Sequence, residues 1–233
     1  MGSPPEPMVH ELCSARDRCE LWASFVRKEG IKRMAEIGVM RGVFTNAMLS
    51  ACPCIERYFM IDPWRHLEGW NKPANMDNER FAECRDEAIR ATQWASARRI
   101  VLRGTTSEAI GQIEDGSLDL AYIDGDHTLR GITIDLIRAF PKVRDGGWIG
   151  GDDFTPSIWQ HAREYEPTLV FPFAVHFAES VDCPIFALPH GQFLLRKGGG
   201  FVFRDLVGEY GDRSLLVQLG STGDRSGDAA GRP

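Results

Sequence analysis

Two short acidic runs hold the residues best suited to chemistry, Asp124-Gly125-Asp126-His127 and Asp152-Asp153, and each directly follows an apolar stretch. Four carboxylates converging at one end of a sheet would repel one another by roughly several kcal/mol at low effective dielectric. A divalent cation such as Mg2+, held by Asp124, Asp152 and Asp153, would remove that conflict, because hard ions prefer carboxylate oxygens. Helix capping is the competing reading for such acids, and it is the one assigned to Asp126, ahead of a helix opening near Thr128.

A second constellation starts at Glu36 and runs Glu36-Ile37-Gly38-Val39-Met40-Arg41-Gly42-Val43-Phe44-Thr45. Its two glycines flank a turn into a helix, which allows close backbone approach to a ligand and offers free N–H groups at the helix start. The spacing is not G-x-G-x-x-G. A pyrophosphate would be repelled by Glu36, whereas a cationic cofactor bearing an amino acid would be attracted. Asp62 ends the next strand, where an acid can accept hydrogen bonds from both hydroxyls of a ribose or simply close the strand in an Asp-Pro turn. Gly104-Thr105-Thr106-Ser107 ends the third strand; these small hydroxylic residues either face an adenine edge or cap the following helix.

Residues with these roles must stand at the carboxyl ends of strands, and the hydrophobic pattern supplies such strands. Apolar runs at Arg33–Val39, Arg57–Ile61, Ile100–Leu102, Leu118–Ile123 and Trp148–Gly151 alternate with amphipathic segments. Helices are predicted over Leu12–Lys28, Phe44–Ala51, Glu79–Trp94, Ser107–Ile113 and Leu129–Phe140, the last stopped by Pro141. Thr155 followed by Pro156 reads as an N-cap and first helical position, opening a helix to about Glu166. Ile185–Leu188 and Phe193–Arg196 read as a β-hairpin. The fold class expected is α/β, a Rossmann-like, doubly wound, mostly parallel seven-stranded sheet with an antiparallel C-terminal hairpin. One domain is expected over 8–218, with tails at 1–7 and 219–233 too polar and glycine-rich to offset their ordering entropy.

The order ExGxxxG, DPW, a Gly-Thr strand end, IDGDH and GGDDF resembles the class I S-adenosylmethionine-dependent methyltransferases. Within them it is similar to the metal-dependent O-methyltransferases: the catechol and caffeoyl-CoA enzymes and the macrocin-type enzymes that methylate sugars. The likeness covers roughly residues 30–200. It implies S-adenosylmethionine bound by Glu36, Gly38, Gly42, Thr45, Asp62, Thr106, Ser107 and Asp124. It also implies Mg2+ or another divalent ion at Asp124, Asp152 and Asp153, and a hydroxyl on a small molecule, a sugar or other secondary metabolite, as methyl acceptor. Catechol-type enzymes carry a lysine base three residues after the first metal aspartate, and this chain has His127 there. A histidine suits proton removal from a metal-acidified alcohol. His127 is therefore the expected base, with Asp124, His161, His176 and His190 as alternatives and a plain helix-start hydrogen bond as the bland reading. Trp64, Trp70 and Trp94 either wall the acceptor pocket or pack in the core.

Composition bounds the rest. With 33 acids against 27 bases the chain carries a formal charge of −6, which argues against phosphate backbones as partners. Arg98, Arg99 and Arg103 read as a solvated strand end. The six cysteines form no CxxC pair, and no secretory pattern or membrane-length apolar run is present. A reduced, cytoplasmic enzyme without nucleic-acid or membrane partners is expected, its oligomeric state, homo-oligomer included, left open. Three other readings stand beside this one: a nicotinamide-dependent oxidoreductase, disfavoured by Glu36 and the missing G-x-G-x-x-G; a hydroxylase-like relative in an antibiotic pathway; and a catalytically silent cofactor-binding partner.

Overall fold

The computed structural model describes residues 11–211; the expected tails at 1–7 and 219–233 lie outside them. One eight-stranded sheet organises the described residues. Its strands are β1 (Arg33–Ile37), β2 (Arg57–Asp62), β3 (Arg99–Arg103), β4 (Leu118–Ile123), β5 (Val143–Gly151), β6 (Pro184–Leu188), β7 (Gln192–Arg196) and β8 (Val202–Asp205), in the order β3-β2-β1-β4-β5-β7-β6-β8. The first five pair in parallel; β7 is antiparallel to both β5 and β6. The doubly wound sheet with its terminal hairpin is therefore as expected. The eighth strand was not anticipated: β8 adds parallel to β6, and beyond it the Tyr210 hydroxyl donates to the Phe154 carbonyl.

Helices cover both faces, as a parallel sheet requires. On one face, α1 (Arg18–Lys28), α2 (Val43–Ala51) and α3 (Asn78–Ala91) bury Trp22, Phe25, Met48 and Cys84 against Met34, Tyr58, Leu120 and Tyr122. The other carries α4 (Thr106–Ala109), α5 (Leu129–Ala139) and α6 (Val170–Ser180), packed on Ile37, Phe59, Ala121 and Ile149. Consecutive strand residues thus serve opposite layers. The chain leaves β1 outward to β2 and β3, then crosses back to β4, so the switch point lies between β1 and β4, where such sheets bind ligands.

One element was misplaced by sequence pattern. No helix forms over 155–166; the Thr155 hydroxyl donates to the Ser157 carbonyl two residues on, and the segment stays irregular until α6 begins at Val170. The polar run from Gln160 to Glu166 has no apolar stripe to bury, and Pro167 closes it. In contrast α6 is apolar nearly all round and is buried against α5 and the sheet. Its exposed polar residues, His176, Glu179 and Ser180, all fall in the second half, so the first six residues give no amphipathic pattern to read. Strand β5 is also longer than expected, starting at Val143, because residues 144–147 bulge between the Val143–Leu118 and Trp148–Leu120 pairs.

Close packing leaves specific glycines no room for a side chain. A Cβ on Gly150, in β5, would overlap the Trp22 indole ring. That ring is held edge-on to Tyr122 at 5.1 Å, and its N–H donates to Gln192 at 2.8 Å. Gly150→Ala should therefore lower the unfolding free energy by about 1–3 kcal/mol, the usual cost of overpacking a filled core. The change should appear as a lower urea midpoint at unchanged m-value; an unaltered midpoint would mean that Trp22 can shift aside freely.

Candidate active site

A single cavity of about 710 Å³ opens at the carboxyl ends of β1 to β4. Its wall includes Glu36, Gly38, Asp62, Thr106, Ser107, Asp124, His127 and Asp153 among the residues expected from sequence. Gly42, Thr45 and Asp152 do not line it; they support residues that do.

At the β1 end, Glu36 is buried, and its carboxylate accepts from the Thr45 hydroxyl and from the Tyr58 hydroxyl at 2.6 Å. Burial raises its pKa to about 8 even though both hydroxyls favour the ionised form. Thr45 thus acts on Glu36. Gly38, at φ 89°, is required by a close approach: a Cβ there would overlap the backbone carbonyl of Asp124. Gly42 starts α2 in the left-handed region and lies against Ala88 of α3.

Asp62 binds the turn together. Its Oδ2 accepts from the backbone N–H groups of Val39 at 2.9 Å and Met40 at 2.8 Å, and its Oδ1 from that of Trp64 at 2.7 Å. Burial raises its pKa against these three donors. At the β3 end the two threonines divide the expected roles. Thr105 forms a capping box with Glu108, while the Thr106 hydroxyl donates to Asp135 at 2.5 Å. Asp135, on α5, is lifted to about 7 by burial, and its Oδ2 has no hydrogen-bond partner.

The acidic end holds the main departure from expectation. Arg18, the first residue of α1, places Nη1 against Asp152 Oδ2 and 2.8 Å from Asp124 Oδ2. His127 pairs through Nδ1 with Asp153 and lies 3.5 Å through Nε2 from Asp124 Oδ1. Burial lowers the His127 pKa, but Asp124 and Asp153 outweigh it and lift the value to about 10. Asp152 Oδ1 accepts from Gln192 at 2.5 Å and from the Asp153 N–H at 2.8 Å. Lys72 is buried nearby with Nζ 3.1 Å from the Thr168 hydroxyl; its pKa is lowered by burial despite Asp126, Asp153 and Glu166. Arg18 and His127 therefore face Asp124, Asp152 and Asp153, and Lys72 lies near enough to feel the charge of Asp126 and Asp153.

This arrangement does not fit the expected divalent ion. Both oxygens of Asp152 and one each of Asp124 and Asp153 are taken up by Arg18, Gln192 and His127, and no three acidic, histidine or cysteine groups among the described residues form a metal cluster. Asp126 is also corrected. Thr128 is the N-cap of α5, its side chain accepting from the Gly131 N–H at 3.1 Å. Asp126 lies one step earlier and accepts from the Thr128 N–H at 3.0 Å and the Trp70 indole N–H at 2.9 Å.

Two irregular segments clasp each other over this end, 65–77 after β2 and 155–169 after β5. Asn71 donates to the Glu164 carbonyl at 2.6 Å, and its own carbonyl accepts from the Glu166 N–H at 3.1 Å. Thr168 reaches Gln160 at 2.9 Å, and the Leu169 N–H donates to the His127 carbonyl at 2.8 Å. Of the three tryptophans, Trp70 lines the cavity, Trp64 is core, and Trp94 is exposed beside Asn46. Among the alternative bases Asp124 and His161 line the cavity; His176 stands exposed beside Glu179 and His190 bonds the Ala15 carbonyl.

Comparison with known proteins decides the class. The sequence pattern of the methyltransferase domain family matches residues 35–154, more than half of the chain. The chain belongs to the methyltransferase domain family. The methyltransferase fold is also that of solved structures at low identity. A Staphylococcus aureus protein named as a caffeoyl-CoA O-methyltransferase aligns with TM-score 0.59 at 14% identity, over 84% of this chain and 93% of its own. A Bacillus cereus O-methyltransferase in complex with S-adenosylhomocysteine aligns with TM-score 0.54 at 16% identity, over 83% and 91%. An S-adenosylhomocysteine-bound methyltransferase from Podospora anserina gives TM-score 0.55 at 14% identity, over 85% and 90%. No curated protein matches the chain. The resemblance read from the motifs is thus borne out at the level of family and fold. Arg18, Lys72 and Gln192 are the site residues sequence reasoning missed. None of them stands in a motif.

The Glu36 pKa gives a stability test. A carboxyl raised from 4.5 to about 8 in the fold contributes stability that is full below the unfolded value and lost as pH rises through the folded one. Thermal stability of the ligand-free methyltransferase should fall between about pH 4.5 and pH 8 for this reason. Glu36→Gln should flatten that part of the profile of melting temperature against pH; parallel native and variant profiles would assign the slope to other groups.

Proposed function

We propose that this methyltransferase uses S-adenosylmethionine to methylate a hydroxyl group of a small molecule. The observation that carries the reading is one continuous cavity, lined at one end by Glu36, Gly38 and Asp62 and at the other by Asp124, His127 and Trp70. The first end suits a nucleoside with a cationic side chain: Glu36 supplies latent negative charge and Asp62 lies where a ribose meets the β2 end. Thr106 and Ser107 line the β3 side, where the base would lie. Neighbours of the same fold that carry S-adenosylhomocysteine support the choice of cofactor. No described helix is long and apolar enough to cross a membrane.

The reaction is a direct displacement in which the acceptor oxygen attacks the sulfonium methyl in line. The C–O bond forms as the C–S bond breaks, and the electron pair stays on sulfur. A histidine lifted to about 10 holds its proton at neutral pH, so His127 serves best as the cation that orients its neighbours. Among the described residues Asp124 Oδ1 has only that ring beside it, at 3.5 Å, and takes the acceptor proton. Metal assistance was the sequence expectation; Arg18 stands against two of the carboxylates it called for, and no step here depends on a metal.

Isothermal calorimetry should register S-adenosylmethionine or S-adenosylhomocysteine, and Asp62→Ala should weaken binding by about 1–3 kcal/mol, the cost of lost hydrogen bonds at a buried site. A screen of hydroxylated metabolites with methyl-labelled cofactor should find transfer to oxygen. Asp124→Asn should slow that transfer roughly 10²–10⁴-fold as a lost base. Binding of NADH in place of the sulfur nucleosides would return the protein to the oxidoreductase reading, and binding without transfer to any acceptor would leave a silent partner.

A further inference from the structure

We propose that the Arg18 guanidinium is the electrophile of the acceptor site, standing where a divalent cation would otherwise neutralise Asp124 and Asp152 and donating a hydrogen bond to the acceptor oxygen. The inference rests on the methyl-transfer reading above. It is carried by placement, by donor count and by charge.

Placement is fixed by the fold. Arg18 opens α1, whose N-cap Asp17 accepts from the Glu20 N–H at 2.9 Å. One turn on, Trp22 is buried and bonded to Gln192, and the same Gln192 reaches Asp152. The helix that delivers the guanidinium is thus anchored to a residue of the acidic cluster itself. The guanidinium also lies over the Phe44 ring, 5.7 Å from its centroid, and Phe44 stacks on Tyr122 at 4.1 Å. An arginine resting on an aromatic shelf between two carboxylates is a built feature.

Donor count leaves it capacity for a ligand. A guanidinium carries five N–H donors in a rigid fork. Nη1 alone makes both carboxylate contacts, and among the described residues neither Nε nor Nη2 has a protein hydrogen-bond partner. Arg18 lines the same cavity as Asp124 and His127, so a spare N–H can reach an oxygen placed there. Charge is met as well. The repulsion between Asp124 and Asp152 that called for a metal is relieved by Arg18, whose Nη1 touches both carboxylates. Near-octahedral Mg2+ demands oxygens at about 2.1 Å, and here Arg18 is already in contact with two of the three carboxylates.

During transfer the proton of the acceptor passes to Asp124, and Arg18 keeps all of its own. The guanidinium fixes the acceptor oxygen and steadies it while it carries negative charge, an electrostatic service strongest in a water-poor cavity. Lysine offers only a point charge without the fork, so it is a poor substitute.

The test uses the full chain saturated with S-adenosylhomocysteine for binding and S-adenosylmethionine for turnover. Mn2+ titrated into the native protein and followed by electron paramagnetic resonance should remain free. Methyl transfer should persist in chelator. Arg18→Ala should lose more than tenfold in turnover at unchanged S-adenosylhomocysteine affinity, with Arg18→Lys recovering part of the loss; unchanged cofactor affinity and a single cooperative thermal transition separate this from misfolding. Stoichiometric Mn2+ binding by the native chain would overturn the assignment. So would activity abolished by chelator and restored by Mg2+, or an Arg18→Ala enzyme as fast as the native one. If the protein binds no sulfur nucleoside and methylates nothing, the activity reading fails, and the Mn2+ titration still decides whether Arg18 holds the cation position.

Discussion

The backbone carbonyl of Asp124 lies against Gly38 so closely that no side chain fits between them. The hydrogen bonds around this contact run Asp124 N–H to the Ile37 carbonyl at 2.7 Å and Gly38 N–H to the Ile61 carbonyl at 2.9 Å. Three strand ends are drawn into one point. Everything functional is measured from it: Asp62 reaches back to the Gly38 turn, Asp124 is aimed away toward Arg18, and the cofactor and acceptor ends become parts of one cavity. A side chain at position 38 would part β1 from β4 and split that cavity before it touched any ligand.

Much of this was legible in the sequence because the relevant partners are local. Glu36 and Thr45, Asp62 and Trp64, and Thr105 and Glu108 are each within ten positions, and strand alternation gave the order of the sheet. The acidic cluster was legible only in part. Its carboxylates follow β4 and β5, but their compensating cation comes from α1, 106 positions before Asp124, and Gln192 is 40 positions beyond Asp152. Counting charges along a motif finds the negative half of such a cluster and not its counter-charge, so a metal filled the gap in the reading. The misplaced helix has a related cause. Thr155-Pro156 carries valid cap chemistry, but a cap stabilises a helix by only about 1 kcal/mol and cannot create one where nothing apolar is buried. Val170–Ser180 buries most of its residues, leaving only His176, Glu179 and Ser180 exposed, and had no cap to announce it.

Buried charge recurs through the site, each case resolved differently. Glu36 has hydroxyl donors but no cation and drifts toward neutrality; Asp62 is held by three backbone N–H groups; Asp153 is kept below its ordinary range by His127 against the effect of burial. Burial alone therefore does not set the charge of an acid here. Burial outweighs the donors at Glu36 and Asp62, and the donors outweigh burial at Asp153. A cationic ligand group would find its strongest response where the carboxyl is still able to ionise.

The clasp between 65–77 and 155–169 makes a single flap of two segments that lie 78 positions apart, from 77 to 155. One segment leaves β2, beside the ribose position, and the other leaves β5, beside Asp153, while the Leu169 bond to His127 ties the flap's far edge to the acidic cluster. The Trp70 side of the cavity is thus bordered by both segments together. Molecular recognition at this doorway belongs to the pair, and diversifying one segment alone would leave the other still reading for the original guest.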